Sequence, residues 1–368
     1  MQELSQLRQA WTITRIELKR AFFSRRAFWV YALALFPTLI FLGYNTQMKF
    51  RTMSLSTIAP ALLDGVRVGE TADAVVERLG KPPRGFDVER LRSRQNRVEN
   101  GESDAAIVET TVYRRLTYFD GRREAVMNFE NGALVSITTK LLRDFEEDRR
   151  IFAGVFQFFY LRLAIFFGCI GIFMNLFRGE MLDRTLHYWF LAPARRDVLL
   201  IGKYGAGLIA SIVIFTGGAL ICFGVMAWQH SSLEVQTFWR NAGIEHIFWY
   251  AVAAAAGCLG YGSVFLAAGL LLRNPVIPAA ILLAWESING FLPELMQKAS
   301  ILYYLQSLCP VPAPMNQDVP GILRILLVPA SPVSRSGAVL GILVITAAVF
   351  LLARHAILRM QIYYSGES

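Results

Sequence analysis

Six long apolar blocks constrain this chain more than any other feature of it. Ala27–Tyr44 runs 18 residues without a charge, Ile151–Phe177 runs 27 with only Arg162, and Tyr204–Gln229 runs 26 with none. Phe248–Leu272 adds 25 without a charge, Val276–Pro293 18 with only Glu286, and Gly337–Ala353 17 with none. A hydrocarbon core about 30 Å thick takes roughly 17–25 apolar residues of helix, so each block is long enough to cross it. Only helices and closed barrels satisfy the backbone in lipid, and barrel strands alternate apolar with polar residues, which these blocks do not. The sequence therefore predicts an α-helical membrane protein with six transmembrane helices. Composition agrees: 54% of the 368 residues are apolar and 18% are charged, against about 25% charge in soluble domains.

Lysine and arginine sort by side. Fourteen stand before the first block, between the second and third, after the fourth and after the sixth, beginning with Arg8, Arg15, Lys19, Arg20, Arg25 and Arg26. The short loops opposite hold four: Arg240, Lys298, Arg324 and Arg335. The positive-inside rule then places both termini in the cytoplasm. The first block exceeds a signal peptide's apolar core and no small-x-small cleavage site follows, so an uncleaved anchor is expected. Cys169, Cys222 and Cys258 fall in the blocks and Cys309 in an outer loop, with no metal-ligand spacing among them, so all four read as unpaired.

Residues 46–150 are the one soluble stretch, with 18 basic and 17 acidic residues. Long loops translocate regardless of charge, so a small α+β extracytoplasmic domain is expected, inserted between helices 1 and 2. Thr71–Leu79 places Ala74, Val75 and Leu79 at helical spacing after a Thr cap, and Gly80 ends the helix. Val112–Phe119, Arg123–Phe129 and Ala133–Thr139 read as strands joined by Asp120-Gly121 and Asn131-Gly132, the dipeptides of tight hairpins. Ala125, Met127 and Phe129, then Leu134 and Ser136, form the alternating face. A second helical stretch is expected at Asp87–Asn100. The order, with Gly69-Glu70-Thr71, Val75, Leu79-Gly80, Pro82, Phe129, Asn131-Gly132 and Leu134, resembles the BamE/SmpA lipoproteins over about 80 residues. That resemblance implies a protein-contact module, with an envelope protein as its partner.

Before the first block, residues 1–26 read as a basic amphipathic elbow helix, with Trp11, Leu18 and Phe22 on one stripe beside Arg15, Lys19 and Arg26. Ile13, Ile16 and Phe23 break that stripe. The helix either lies in the lipid interface or simply extends the first span, which covers 27–45. The remainder, 151–368, holds helices 2–6. The loop 178–203 between helices 2 and 3 reads as a short helix with an aromatic-aliphatic face (Leu186, Trp189, Phe190), stopped by Pro193 and followed by a charged turn into the membrane. Its Glu180, Thr185-Leu186, Pro193, Arg196, Leu199-Leu200 and Gly202-Lys203 fall at the spacings of the cytoplasmic loop of ABC-2 type permeases; Leu182 and Arg184 depart from that pattern. The apolar stretches Ile301–Leu308 and Ile322–Ala330 in the outer segment 294–335 are too short to cross and read as re-entrant caps.

The resemblance to ABC-2 permeases implies the membrane-spanning subunit of an exporter in a bacterial cytoplasmic (inner) membrane. It is not itself an enzyme and holds no cofactor. ATP would be bound by a separate ABC ATP-binding subunit, since no G-x-x-x-x-G-K-[ST] loop occurs here. The partners implied are that subunit, a second copy or a homologous permease, and membrane lipids, with no nucleic acid. Glu180, Thr185, Leu186, Pro193, Arg196 and Lys203 would couple to the ATPase. Gly205-Ala-Gly207-Leu-Ile-Ala210 looks like a dinucleotide fingerprint, yet it opens a membrane helix, where small residues serve packing. Charges inside spans are costly, so Glu286 and Arg162, with Asn289 and Gln157, are candidate translocation-path residues. Arg162 could equally snorkel to an interface. His187, four residues after Asp183, lacks the further ligands of a metal site. A non-transporting scaffold or sensor, binding an envelope protein through the outward domain, is the competing expectation.

Overall fold

The computed structural model describes residues 2–24, 27–53, 57–82, 84–93, 108–121, 123–141, 144–182, 185–191, 195–272, 276–289, 292–312 and 333–359. The chain divides into two compact units, Met1–Leu42 with Glu146–Ser368, and Gly43–Phe145.

The first unit is helical. α1 (Gln2–Phe23) precedes α2 (Ala27–Met53). α5 (Phe145–Met181) leads to the short α6 (Leu186–Leu191) and then to α7 (Arg196–Trp228). α8 (Leu233–Leu271) is followed by α9 (Val276–Ile288), α10 (Glu294–Gln297), α11 (Ile301–Leu308) and α12 (Arg335–Arg359). Among the described residues five helices, α2, α5, α7, α8 and α12, are long and apolar enough to cross a membrane. Large apolar side chains point outward from them, Phe28 at 70% and Leu39 at 64% exposure, which water would penalise and lipid does not. The chain is a multi-pass membrane protein. The fifth apolar block gives a shorter helix than its length implies. α9 has 13 residues, about 20 Å at 1.5 Å per residue, and it ends at Ile288, ahead of Pro293.

α5 is not a uniform α-helix. It widens into π-helical turns over Phe156–Ala164 and Ile170–Met174. Tyr160 lies in the first of these, and its hydroxyl reaches both the Ala34 carbonyl of α2 at 2.8 Å and the Gly218 carbonyl of α7 at 3.1 Å. A Cβ on Gly218 would stand 2.8 Å from that same Ala34 oxygen, so glycine is what lets the two backbones approach. The look-alike fingerprint lies inside α7 as a packing surface: Ala206 and Ala210 are buried, and a Cβ on Gly207 would meet the Phe173 ring at 2.7 Å. Tyr250 meets Phe152 and Phe156 edge to face, with centroids 5.2 and 4.7 Å apart, and the two phenylalanines lie near-parallel at 6.2 Å. All four cysteines are free, three of them buried.

The second unit is α+β. α3 (Pro60–Asp64) and α4 (Ala72–Leu79) precede a four-stranded antiparallel sheet in sequential order, β1 (Arg84–Ser93), β2 (Val108–Phe119), β3 (Arg123–Glu130) and β4 (Ala133–Leu141). Asn131 (φ 51°) and Gly132 (φ 83°) make the β3–β4 turn, as the dipeptide requires. One face carries Leu116, Tyr118, Ala125, Met127, Phe129 and Leu134 against Val75 and Leu79 of α4. Arg123 ties the β2–β3 turn to α3, reaching Asp120 at 2.8 Å and Asp64 at 3.1 Å, and the two carboxylates hold its guanidinium above the usual range.

Three expectations change here. Asp87–Asn100 is not helical over 87–93, because that stretch pairs with β2 from Arg84↔Thr117 to Ser93↔Val108; residues 94–100 lie outside the described ones. Ala74 is exposed, and the buried stripe is Ala72, Val75 and Leu79. Ser136 is not on the core face: the register shifts at Asn128/Phe129, so that Met127 faces Ile137 and Phe129 faces Leu134. The extra residue, Val135, points outward at 53% exposure. This geometry gives a contrast. Phe129→Ala is expected to lower the opening free energy, read by amide exchange along β3, by about 3–5 kcal/mol. Val135→Ala is expected to leave it within about 0.5 kcal/mol.

Candidate functional site

At one end of the helical unit α1, the last turn of α5 and the first turns of α7 converge, and small residues allow it. A Cβ on Gly202 would lie 2.8 Å from Ile13 and 3.0 Å from the Ala10 carbonyl. Thr14 Oγ1 donates to the Gly202 carbonyl at 3.0 Å and shares its proton with the Ala10 carbonyl at 2.9 Å. The face of α1 that packs is therefore Ile13, Thr14 and Glu17, all under 7% exposed, while Trp11 stands 62% exposed. Of the Trp11–Leu18–Phe22 stripe, Trp11 stays outside while Leu18 and Phe22 are half-buried; the close crossing itself selects small and polar groups over bulky ones.

One helical turn beyond Thr14, Glu17 meets Lys203. The Lys203 Nζ is fully buried, 2.6 Å from Glu17 Oε1 and 2.8 Å from Glu180 Oε1. The faces of Phe177 and Trp189 lie 5.5 and 5.1 Å from it. Glu180 Oε1 also accepts from Trp189 Nε1 at 3.0 Å and from Arg20 Nη1 at 3.3 Å. The buried Lys203 and the exposed Arg20 thus balance two buried carboxylates, which is the condition for holding charge away from water. α6 belongs to the cluster through Trp189, and Thr185 closes the turn before it, its amide donating to the Glu180 carbonyl at 2.9 Å.

The other loop residues go elsewhere. Arg196 Nη1 donates to the carbonyls of Ile357 and Leu358 at 3.2 Å each, at the C-terminal end of α12, and Arg354 of α12 returns to Asp197 at 3.2 Å. Pro193 lies outside the described residues, as does Asp183, and the side chains of Leu186 and His187 are not described. Among the described residues no group of three His, Cys, Asp or Glu side chains could hold a metal.

Glu286 and Arg162 are not brought together. Glu286 is 2% exposed and caps α11: it accepts the Ser300 hydroxyl and, at 3.1 Å, the Ile301 amide. A carboxylate at a helix N-terminus satisfies free amides and the dipole at once. Arg162 forms no ion pair among the described residues and lies 5.8 Å from the Phe158 ring centroid. Asn289 is 8% exposed, and its Oδ1 has no partner among the described residues. Gln157 donates to the Val311 carbonyl at 2.7 Å rather than to a charge. α11 is buried through Ile301, Leu302, Leu305 and Leu308, while Ile322–Ala330 lies outside the described residues.

Sequence reasoning did not single out Glu17. Its signal was present: it is the one acid between Trp11 and Arg26, amid five basic residues. No family model, no curated protein and no solved structure matches the chain. The class defined by the fold is thus a multi-pass helical membrane protein with a buried charge cluster at one end of its bundle.

The cluster is testable by a mutant cycle. Lys203→Met leaves two carboxylates buried with a single exposed arginine, and is expected to cost about 3–5 kcal/mol in thermal or chemical unfolding of the purified chain. Adding Glu17→Gln in that background is expected to recover at least about 1 kcal/mol, the sign of direct coupling.

Proposed function

We propose that the chain is the membrane-spanning (permease) subunit of an ABC-2 type exporter in a bacterial cytoplasmic membrane. It forms the translocation path as a homodimer or with a homologous permease, and a separate ATP-binding subunit carries out hydrolysis. The observation that carries this reading is the Lys203 cluster. Glu180 and Lys203, polar residues at the spacings of the family's loop, meet the elbow helix at one point, and Thr185, a third, bonds back to Glu180. A partner pressing on α6 would move Trp189, and through it Glu180 and Lys203, and so α1, α5 and α7 together. Coupling between sites requires such an element, one whose position both ends can bias. In this reading the whole fifth apolar block, 276–293, supplies the remaining crossing, both termini and the loop 178–203 are cytoplasmic, and residues 46–150 face outward.

The test is expression with the ATP-binding subunit encoded beside it. Wild type is expected to co-purify with that subunit and raise its ATP turnover. Trp189→Ala is expected to keep the complex and cut the stimulated turnover about tenfold. If the wild-type chain binds no ATPase, the reading fails and the envelope-scaffold reading takes its place. Orientation has its own check. A Val135→Cys chain is expected to react with a membrane-impermeant maleimide added outside intact cells, because Val135 is exposed and three of the four native cysteines are buried.

A further inference from the structure

α12 is the least buried of the five crossing helices. Five of its 25 residues are buried, Ala338, Ile342, Thr346, Ala353 and Ile357, while Leu351 and Leu352 stand mostly exposed. Lipid supplies no hydrophobic drive between helices, so association rests on packing and polar contacts. A helix with so few packed side chains needs a polar hold.

That hold lies where the loop 178–203 enters α7. The last carbonyls of a helix have no intrahelical donor, and they form its negative pole. Arg196, the first residue of α7, donates Nη1 to two of them on α12, Ile357 and Leu358, at 3.2 Å each. In return, Arg354 Nη2 of α12 lies 3.2 Å from Asp197 Oδ2, an acid in the first turn of α7, where the helix pole is positive. Arg195 reaches the same oxygen only at 3.6 Å. α7 thus gives α12 a cation at its negative pole, and α12 gives a cation to the acid at the start of α7.

α7 is one continuous helix from Arg196 to Trp228. Arg196 and Lys203 are therefore fixed to one rod, about 10 Å apart along it at 1.5 Å per residue. A displacement at Lys203 is carried to Arg196 unless helix hydrogen bonds break between them.

We propose that Arg196, Asp197 and Arg354 form a reciprocal clasp that makes the end of α12 follow α7, with Arg196 as its positioning residue. A movement imposed on the loop 178–203 then reaches α12 as well as α1 and α5. That an ATPase imposes this movement rests on the function proposed above; the clasp itself does not.

The experiment is hydrogen–deuterium exchange of the purified full-length chain, read by mass spectrometry, in which local opening sets the rate at each helical amide. Arg196→Ala is expected to speed exchange of amides 356–359 about tenfold, the scale of one hydrogen bond to a charged group. Amides 204–215 of α7 are expected to keep their wild-type rates, which separates loss of the clasp from general unfolding. Asp197→Asn and Arg354→Gln, the latter at a half-exposed position, are each expected to speed exchange at 356–359 about threefold. The double variant is expected to go no further than either, the mark of a direct pair. In complex with the ATP-binding subunit, a non-hydrolysable ATP analogue is expected to change exchange at 356–359 at least about threefold in wild type and not in Arg196→Ala, while α6 responds in both. A chain that forms no such complex would fail the functional reading, and the variants alone would then decide the clasp. Exchange at 356–359 unchanged in both Arg196→Ala and Arg354→Gln, additive effects in the double variant, or a nucleotide response of wild type that stops at α6 would each overturn the proposal.

Discussion

Much of the helical unit's geometry at one end follows from a single ammonium group. Lys203 has no solvent contact, and stripping water from an ion costs several kcal/mol even after relaxation. That cost is offset only where carboxylates reach it, and the two that do, Glu17 and Glu180, come from two different helices, α1 and α5, that both precede α7 in sequence. Each must arrive within hydrogen-bond distance, so α1 and the end of α5 are pinned around α7. Gly202 and Thr14 are secondary consequences. The glycine allows the approach that the charge demands, and the threonine satisfies a carbonyl at the crossing. Two ring faces, Phe177 and Trp189, complete the shell with quadrupoles in place of water.

The charge inside the fifth apolar block has a different answer. Glu286 invited a reading as a transport residue because a lone carboxylate in a span is costly. Its oxygens are met instead by the start of α11, whose first amides have no intrahelical partner of their own. A buried acid and a buried helix end each carry an unsatisfied group, and the pair resolves both. Arg162 has no such partner among the described residues; it is half-buried, with the Phe158 ring centroid 5.8 Å away.

What could be read from sequence follows the strength of each local signal. Charge-free runs of 25 or more residues admit few alternatives, and α7 and α8 formed where they fall. Asn131-Gly132 located its hairpin because few other residues tolerate those φ values. The bulge at Val135 carried no such mark, so the alternation was extended one residue too far and Ser136 was placed where Ile137 belongs. β1 was hidden by its charges: Arg84, Asp87, Glu89, Arg90 and Arg92 resemble a solvated helix, and only the pairing with β2 reveals a strand. Of the candidate site, Glu180 and Lys203 were visible from their spacing. Glu17 was not, since a contact 186 residues distant in sequence leaves no periodic trace.

The Tyr160 hydroxyl has a mechanical consequence. One proton donor stands between carbonyls of two neighbouring helices, Ala34 of α2 and Gly218 of α7, in a region where no water can replace either bond. Sliding or rotating any one of α2, α5 and α7 past the others would leave that hydroxyl without an acceptor. At that level the three are tied together as a single strut.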